Sequence, residues 1–229
     1  MTATLDQVQT TTAAALPSVV LHMAALHAST DSTKYAISRI DVRAAVDPDG
    51  NEAVRVSATD GHRLFRMFVP LTLPGVIAPD QPIALNPSAF KAVPKVKESY
   101  CCLYADGMAH WREFASVGAV SAKPWHQKDG GLAEFPNVDQ LFPENWAYEP
   151  GKAIGFNGAY MATASKLAGK YAPNGAFKLH VNHPTTPAVM EFQVEGKWLG
   201  GEKLSGFMGG WSVDPLKAEI LIMPVQFRG

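Results

Sequence analysis

Cysteine is scarce in this sequence, and its placement excludes a fold built on disulfides. The 229 residues include two cysteines, Cys101 and Cys102, which are adjacent. Neighbouring cysteines pair only in strained geometry, so we expect no stabilising disulfide between them. No CxxC pair and no Cys/His set with the spacing of metal ligands occurs. This cysteine usage fits a reducing, intracellular compartment.

Long apolar runs are also missing. No stretch reaches the roughly 20 apolar residues that a membrane-spanning helix needs. Residues 1–15 are rich in threonine and alanine, and they lack both the basic start and the apolar run of a signal peptide. These absences predict a soluble, cytoplasmic protein that does not bind a membrane.

Neither sign of charge is in excess. The chain has 20 Lys and Arg against 21 Asp and Glu, which gives a net charge of −1 and a pI of about 6.6. A binder coated in positive charge is therefore excluded, whereas a localised basic face is not, because net charge says nothing about distribution. With 47% apolar and 18% charged residues, the chain is also no disordered protein. Its length allows one or two domains.

Recognisable catalytic and cofactor motifs are absent as well. No serine or cysteine nucleophile lies beside His62 in the sequence. His180 and His183 have no carboxylate or cysteine in their local pattern, which disfavours metal ligation. The Gly200–Gly206 stretch lacks the GxxxxGK[ST] spacing of a phosphate-binding loop. We therefore predict a non-enzyme without cofactor or metal; an enzyme with an unrecognised site is the remaining alternative.

Prolines and glycines divide the chain into three similar rounds of helix and strands. The first round is a helix over Leu16–Ala28 and strands Tyr35–Val42, Ala53–Ser57 and Leu64–Val69. The second is a strand Gln81–Leu85, a short helix after Asn86, and strands Ser99–Tyr104, Met108–Glu113 and Val117–Ala122. The third is a strand Lys152–Phe156, a helix Ala159–Lys170 capped by Asn157, and strands Phe177–Val181, Ala188–Val194 and Ala218–Val225. Residues 123–150 are predicted to form a proline-rich linker.

The stretch Ser57–Leu64 is the most distinctive motif. One interpretation is a plain corner between two strands, in which Asp60-Gly61 supplies the turn and His62 and Arg63 are solvated. The alternative is a turn that presents His62 and Arg63 beside an apolar groove. At the C-terminus, Ala218–Phe227 is predicted to be a core strand, and its residues Met223, Pro224 and Val225 could also form an adaptable binding surface.

These motifs resemble the bacterial DNA polymerase III beta subunit, the sliding clamp. The resemblance is carried by Thr59–Leu64 (TDGHRL), Phe135–Val138 (FPNV), Leu141–Asn145 (LFPEN), Ile154–Asn157 (IGFN) and the terminal Met223-Pro224, in that order. It covers residues 57–229, and the preceding helix and strands fit it. In that family each domain consists of two similar halves, with helices around a central hole for duplex DNA and strands in an outer sheet.

The resemblance implies an α+β fold of repeated half-domains, in which a helix packs on antiparallel strands. Residues 1–125 would form one domain like the middle domain of the family. Residues 126–151 would be a connector, and 152–229 a reduced C-terminal half-domain. Because a clamp normally has three full domains, a third unit of this size would leave surface uncovered. We therefore expect a homo-oligomer, or else a chain that does not close a ring.

The resemblance also implies a groove for short apolar peptides of polymerases and clamp loaders. Its residues match Thr59, Gly61, His62, Arg63 and Leu64 on one wall, Pro143 in the connector, and Leu221, Met223, Pro224 and Val225 on the other wall. Gln226 and Phe227 stand where the family has Arg-Leu, and that difference bears on peptide specificity. A groove of aliphatic and methionine side chains with a polar rim suits a linear peptide.

Contact with double-stranded DNA would require cations on the inner helices. The matching lysines are Lys91, Lys95, Lys97, Lys166 and Lys170, which are alternatively ordinary surface lysines. A sliding contact needs non-specific attraction to phosphates rather than base readout. The predicted function is a clamp-like processivity factor for DNA replication or repair that tethers partners without catalysis. The alternative is a decoy or regulator that binds clamp partners, or a resident clamp, without encircling DNA.

Overall fold

The computed structural model describes residues 12–31, 33–34, 36–73, 75–91, 100–104, 109–112, 117–118, 134–142, 154–181, 186–199 and 214–224. Within these ranges the helices are α1 (Ser18–Ala25) and α2 (Gly158–Tyr171). The strands are β1 (Thr12–Pro17), β2 (Ile40–Val46), β3 (Glu52–Thr59), β4 (Arg63–Pro70), β5 (Ile83–Leu85), β6 (Tyr100–Tyr104), β7 (Ala109–Arg112), β8 (Val117–Gly118), β9 (Lys178–His180), β10 (Ala188–Val194) and β11 (Leu216–Ile222). Short 3-10 helices lie at Pro87–Phe90, Asp139–Leu141, Pro173–Gly175 and Gly196–Trp198.

The larger sheet joins the first and third rounds of the sequence and includes the first strand of the second round. Its strand order is β5-β2-β3-β4-β11-β10-β9, and every neighbouring pair is antiparallel. The central connection is between β4 and β11, where Leu64 lies opposite Leu221. The sheet is therefore continuous between segments far apart in the chain.

A smaller sheet contains β1, β6, β7 and β8 in that order. Strand β1 was not predicted from the sequence, because residues 1–15 are rich in alanine and threonine without a clear alternation. It forms by pairing antiparallel with β6, which brings Leu16 opposite Cys101. The predicted helix start at Leu16 is consequently wrong: the strand runs through Pro17 and the helix begins at Ser18.

The predicted turn at Asp60-Gly61 and the two predicted helix starts are confirmed, and a further turn follows β2. In the turn after β2, the Asp47 N–H donates to the Asn51 carbonyl over 2.9 Å, and Gly50 has a φ of 88°. The turn at Asp60-Gly61 lies between β3 and β4. Asn86 and Asn157 cap the helical segments that follow them, since each side-chain oxygen accepts a backbone N–H two residues later. Side-chain chemistry at these positions is local, which is why the sequence alone indicated them.

Other predicted bounds differ from the structure. The strand predicted at Tyr35–Val42 starts later, at Ile40, because its pairing with β3 on one side and β5 on the other defines its length. In the strand predicted at Lys152–Phe156, Ile154 and Gly155 have no regular structure and Phe156 forms a single bridge to Pro224. The predictions for 92–99, 119–133 and 143–153 lie outside the described residues. The division at residues 125 and 152 stays a prediction.

The main core lies on the helix side of the larger sheet. Alternate residues of β4, β10 and β11, such as Phe65, Met190 and Ile220, point into it and pack with both helices. Helix α1 is buried along nearly its whole surface, whereas α2 leaves one side exposed. We call the opposite side of the sheet the outer face; Leu64, Val189 and Leu221 lie there. No helix in the described ranges is long and apolar enough to cross a membrane.

Candidate functional site

The turn between β3 and β4 is built by its own polar side chains. The Thr59 hydroxyl donates to the Arg63 carbonyl over 2.8 Å and accepts the Gly61 N–H over 3.0 Å. The Asp60 carboxylate accepts the N–H groups of His62 and Arg63 over 2.9 and 3.0 Å. Gly61 has a φ of +91°, in the region that favours glycine. The motif therefore specifies a rigid turn that leaves His62 exposed.

Arg63 ties this turn to both helices. Its Nε donates to Asp60 over 2.9 Å, and its Nη2 donates to the carbonyl of Leu26, which follows α1, over 3.0 Å. Its guanidinium also lies 5.0 Å from the centre of the Tyr160 ring in α2. Three partners leave this side chain mostly enclosed, so its main role in the described structure is to position the turn.

The end of β11 lies directly beside the turn. The Met223 N–H donates to the His62 carbonyl over 2.9 Å, and Pro224 forms a bridge with Phe156. The two predicted walls, Thr59–Leu64 and Leu221–Pro224, are thus adjacent through the pairing of β4 with β11. Val225 and Pro143 lie outside the described residues.

An exposed patch forms where these elements meet, and we define it as His62, Tyr160, Met223 and Pro224. The imidazole of His62 stacks on the Tyr160 ring with centroids 6.0 Å apart and planes 18° apart. Met223 is 39% exposed, so an apolar side chain of the predicted wall is in contact with solvent. Sequence reasoning missed Tyr160 because it comes from α2, and no local signal links that helix to the turn.

Leu64 and Leu221 are not exposed, because another segment covers them. Their relative exposures are 2% and 1%, and they pack with Phe135, Val138 and Val189 on the outer face. We call residues Glu134–Phe142 the strap. The residues predicted to form the groove therefore fall into two sets, those in or near the exposed patch and the buried pair Leu64 and Leu221 beneath the strap.

Ion pairs hold the strap against the sheet. Asp139 forms salt bridges with Arg55 and with Arg66, the latter over 3.0 Å. Arg66 also pairs with Glu219 of β11 over 2.8 Å, and its guanidinium lies 3.3 Å from the centre of the Phe142 ring. Sequence reasoning missed this cluster, although a charged residue inside an apolar strand was a signal for it, as with Arg66 inside β4 (RLFRMFVP).

The structure brings three of the predicted DNA-contacting lysines to the helix side. Lys166 and Lys170 lie on the exposed side of α2, one turn apart. Lys91 is exposed next to Phe90, whose carbonyl accepts a hydrogen bond from Nδ1 of His22 over 3.0 Å. His22 also faces Tyr171, with ring centroids 6.5 Å apart. Lys95 and Lys97 lie outside the described residues.

His22 lies close to Lys170, whose charge acts on it, and to Phe90, the neighbour of Lys91. Burial lowers the pKa of His22, the hydrogen bond with the Phe90 carbonyl opposes that shift, and the positive charge of Lys170 lowers the pKa further. The Lys170 amine itself lies 4.8 Å from the centre of the Tyr171 ring. Lys91, His22 and Lys170 therefore belong to one neighbourhood, where the C-terminal part of α2 approaches α1.

Cys101 and Cys102 are buried thiols that form no disulfide. Burial raises the pKa of the Cys101 thiol, so this side chain is not a reactive thiolate. Among the described residues, no group of three or more His, Cys, Asp or Glu side chains gathers in a way that could hold a metal ion.

No protein-family model matches the chain, and no curated protein matches it. Solved structures do. The DNA polymerase III beta subunit of Caulobacter crescentus matches 95% of this chain with a TM-score of 0.58 at 15% identity. The beta subunit of Thermotoga maritima matches 92% of this chain with a TM-score of 0.55 at 11% identity. The sliding clamp of Pseudomonas aeruginosa matches 93% of this chain with a TM-score of 0.54 at 11% identity.

The chain has the fold of a bacterial sliding clamp. This confirms the predicted α+β class and the resemblance on which it rested. The match covers 67%, 63% and 65% of the three clamps named, so the chain spans about two thirds of their length.

Proposed function

We propose that this chain is a clamp-like tether that holds a polymerase or another partner on duplex DNA during replication or repair, without catalysing a reaction. The observation that carries the proposal is the clamp fold together with the pairing of β4 and β11. That pairing puts the Thr59–Leu64 turn beside Met223 and Pro224, which are the residues matched to the partner groove. We also propose that the protein works in the cytoplasm.

The partner in this proposal is a short apolar peptide of the polymerase or clamp-loader type. The exposed patch offers a methionine and a proline beside the stacked rings of His62 and Tyr160. Methionine adapts to varied apolar side chains, and a peptide in a groove gains affinity from few anchors. Thr59, Gly61 and Arg63 would support the patch by shaping the turn.

DNA contact is proposed for the helix side. Lys166 and Lys170 share the exposed side of α2 with the small residues Ala162, Ser165 and Gly169. Such a surface offers charge without bulky side chains, which suits a mobile contact with the phosphate backbone. Lys91 adds a further cation nearby, and Lys95 and Lys97 are retained as candidates from the sequence.

A homo-oligomer is part of the same proposal. The larger sheet ends at β5 and at β9, and in the described ranges neither has a further strand beside it. Phe177 and Leu179, at the β9 end, are each 41% exposed. An edge strand with exposed apolar side chains favours association with another chain. We propose that copies of the chain meet there, with residues 1–125 and 152–229 as the two clamp-like units.

A second candidate function is a decoy that binds clamp partners without encircling DNA. It is supported by the pairing of β4 with β11, which brings both predicted walls together within one chain, so that binding a partner there does not require a closed ring. Retention on DNA separates the two functions. A tether stays on closed circular DNA and is lost after the circle is cut, whereas a decoy is retained on neither form.

The deciding experiment combines that retention assay with the solution mass from light scattering during size exclusion. We expect a defined oligomer that a clamp loader places on circular DNA. A 24.6 kDa monomer at all concentrations, with no retention, would contradict the tether and favour the decoy.

The groove is tested by Met223→Asp. A charge in the exposed patch is expected to weaken binding of a labelled clamp-binding peptide from a bacterial replicative polymerase by about tenfold or more, because an apolar contact is replaced by a carboxylate that must lose water. Val46→Asp is the matched control, since Val46 is 63% exposed at the far end of β2. Equal affinities for both variants would contradict the groove.

A further inference from the structure

The strap is attached to the sheet as a bound peptide would be. Its backbone hydrogen bonds in the described structure are internal: the Leu141 N–H donates to Val138 over 3.1 Å and the Phe142 N–H donates to Asp139 over 3.1 Å. Among the described residues, no backbone hydrogen bond joins the strap to a strand. Side chains therefore make its attachment, and they follow a simple pattern.

Two apolar side chains three residues apart fill the buried part of the groove. Phe135 is 3% exposed and Val138 is fully buried, and both belong to one buried cluster with Leu64, Val189 and Leu221. The residues between them, Pro136 and Asn137, are exposed. This is the arrangement of a short segment that anchors on a few positions and leaves the rest in water.

A carboxylate directly follows the second anchor. Asp139 reaches the guanidinium groups of Arg55 and Arg66, whose side chains are 9% and 8% exposed. Nearly buried arginines beside an apolar pocket select a carboxylate, because a neutral residue at that position would leave Arg55 without this partner. Phe142 completes the pattern by lying on Arg66.

We propose that the strap is the resident ligand of the groove, and that the partner is a peptide with the same pattern: an aromatic residue, an apolar residue three positions later, and then a carboxylate. The partner peptide takes the seat over Leu64 and Leu221 by displacing the strap and pairs its carboxylate with Arg55 and Arg66. This inference rests on the proposed function, since it names the partner of the same groove. It makes binding a competition between the two segments.

The first test uses the strap itself as the probe. A labelled peptide of residues 134–142 is titrated onto the full chain and onto its Asp139→Ala variant. Because the tethered strap competes in the wild-type chain, we expect the variant to bind the peptide about tenfold more tightly. Gln140→Ala is the matched control, since Gln140 is exposed on the neighbouring position. A peptide with asparagine in place of aspartate should bind the Asp139→Ala variant about tenfold more weakly.

The second test follows the strap without any peptide. Leu221→Cys puts a thiol beneath the strap, while Cys101 and Cys102 stay buried. Adding Asp139→Ala is expected to speed labelling of that thiol about tenfold, and adding Gln140→Ala is not. The inference would be overturned by equal labelling rates with Asp139→Ala and with Gln140→Ala. Equal peptide affinities of the Asp139→Ala and Gln140→Ala variants would overturn it too. Dimers that form by exchange of straps between copies would overturn it as well, because the partner would then be a second copy.

The two failures are distinguishable. A chain that stays on circular DNA without any Asp139→Ala effect keeps the proposed function and loses this inference. A chain that shows the Asp139→Ala effects but is never retained on circular DNA keeps the inference and loses the tether.

Discussion

At the scale of single residues, Gly61 carries a requirement that its neighbours do not. Its φ of +91° closes the turn, while a Cβ at this position would meet only the Ile37 side chain, at 3.7 Å. Gly61→Ala is therefore expected to destabilise through backbone strain, by about 1 kcal/mol, and not through a clash. The free energy of unfolding from urea titration measures the effect.

Gly158 provides the matched control for that substitution. It opens α2, a Cβ added to it would meet no heavy atom within 4 Å, and it needs no positive φ. Gly158→Ala should leave the free energy of unfolding unchanged or raise it, since alanine is the better helix former. Equal losses in the free energy of unfolding at both positions would show that alanine at position 61 adds no backbone strain.

His27 predicts how stability depends on pH. Its Nδ1 donates to the Met23 carbonyl over 2.8 Å, the ring stacks on Phe65, and Nε2 is buried without a hydrogen bond to any described residue. Burial lowers the pKa of His27 to about 4; the bond to Met23 opposes the shift, Arg63 adds to it, and Asp60 opposes it.

The sign follows from proton binding. Between pH 6.5 and about 4 the unfolded chain binds a proton at His27 that the folded chain does not. The free energy of unfolding should therefore fall as pH falls through that range, by about 3 kcal/mol in total from this residue. His27→Phe, which keeps a ring on Phe65, should remove this contribution. Urea titrations of the wild-type chain and the His27→Phe variant from pH 7.5 to 4.5 measure the effect. Free energies of unfolding that fall in parallel with pH for the two proteins would contradict the prediction.

At the scale of elements, α2 depends on its first residues. Asn157 accepts the Ala159 N–H over 2.9 Å, and no acidic residue supports the first turn. Asn157→Ala is expected to lower the free energy of unfolding by about 1 kcal/mol, whereas Asn157→Ser should retain most of it because a hydroxyl also caps a helix. Thermal unfolding followed by circular dichroism compares the two. An alanine variant as stable as the serine variant would show that the cap contributes nothing.

At the scale of the whole molecule, the two faces of the larger sheet differ in what they can bind. The lysines of α2 lie on the helix side. Lys217 alternates with core residues of β11, and Lys178 lies opposite Glu191 of β10, on the same face as Val189, so both lysines lie on the outer face. Reversing charge at Lys166 and Lys170 together should weaken binding to duplex DNA. It should also lower the slope of log affinity against log salt by about two, since each phosphate contact contributes about one.

The same double reversal at Lys178 and Lys217 is the control, since both lysines are exposed on the face away from the helices. It should leave the salt slope unchanged. Fluorescence anisotropy of a labelled duplex over a salt series measures both variants. Equal slopes for the two double variants would show that DNA does not contact the helix side.

Local chemistry explains why much of the fold was predictable. Strand β10 has the predicted bounds, Ala188–Val194, and α2 agrees within one residue at each end. The turn at Gly61 and the caps at Asn86 and Asn157 depend on neighbours two or three positions away. Strand β1 was missed because its strand conformation depends on β6, far along the chain.

The sequence suggested which residues form the candidate site, and that membership stays a prediction, whereas their arrangement was not visible in it. The motif TDGHRL and the terminal Met223-Pro224 named both predicted walls through the resemblance to the clamp family, and only the turn itself follows from local side-chain chemistry. Tyr160 beneath His62, and the strap above Leu64, were not visible. Each needs a contact between segments that share no local pattern.

The sequence by itself determined the alternation of helices and strands, the tight turns and the absence of disulfides, since these follow from backbone preferences and residue chemistry over a few positions. Tertiary structure decided that β4 pairs with β11, that Arg66 meets Glu219 across 153 positions, and that the strap covers Leu64 and Leu221. Such contacts depend on which buried surfaces and charges complement one another after the chain folds. No short window of sequence contains both partners.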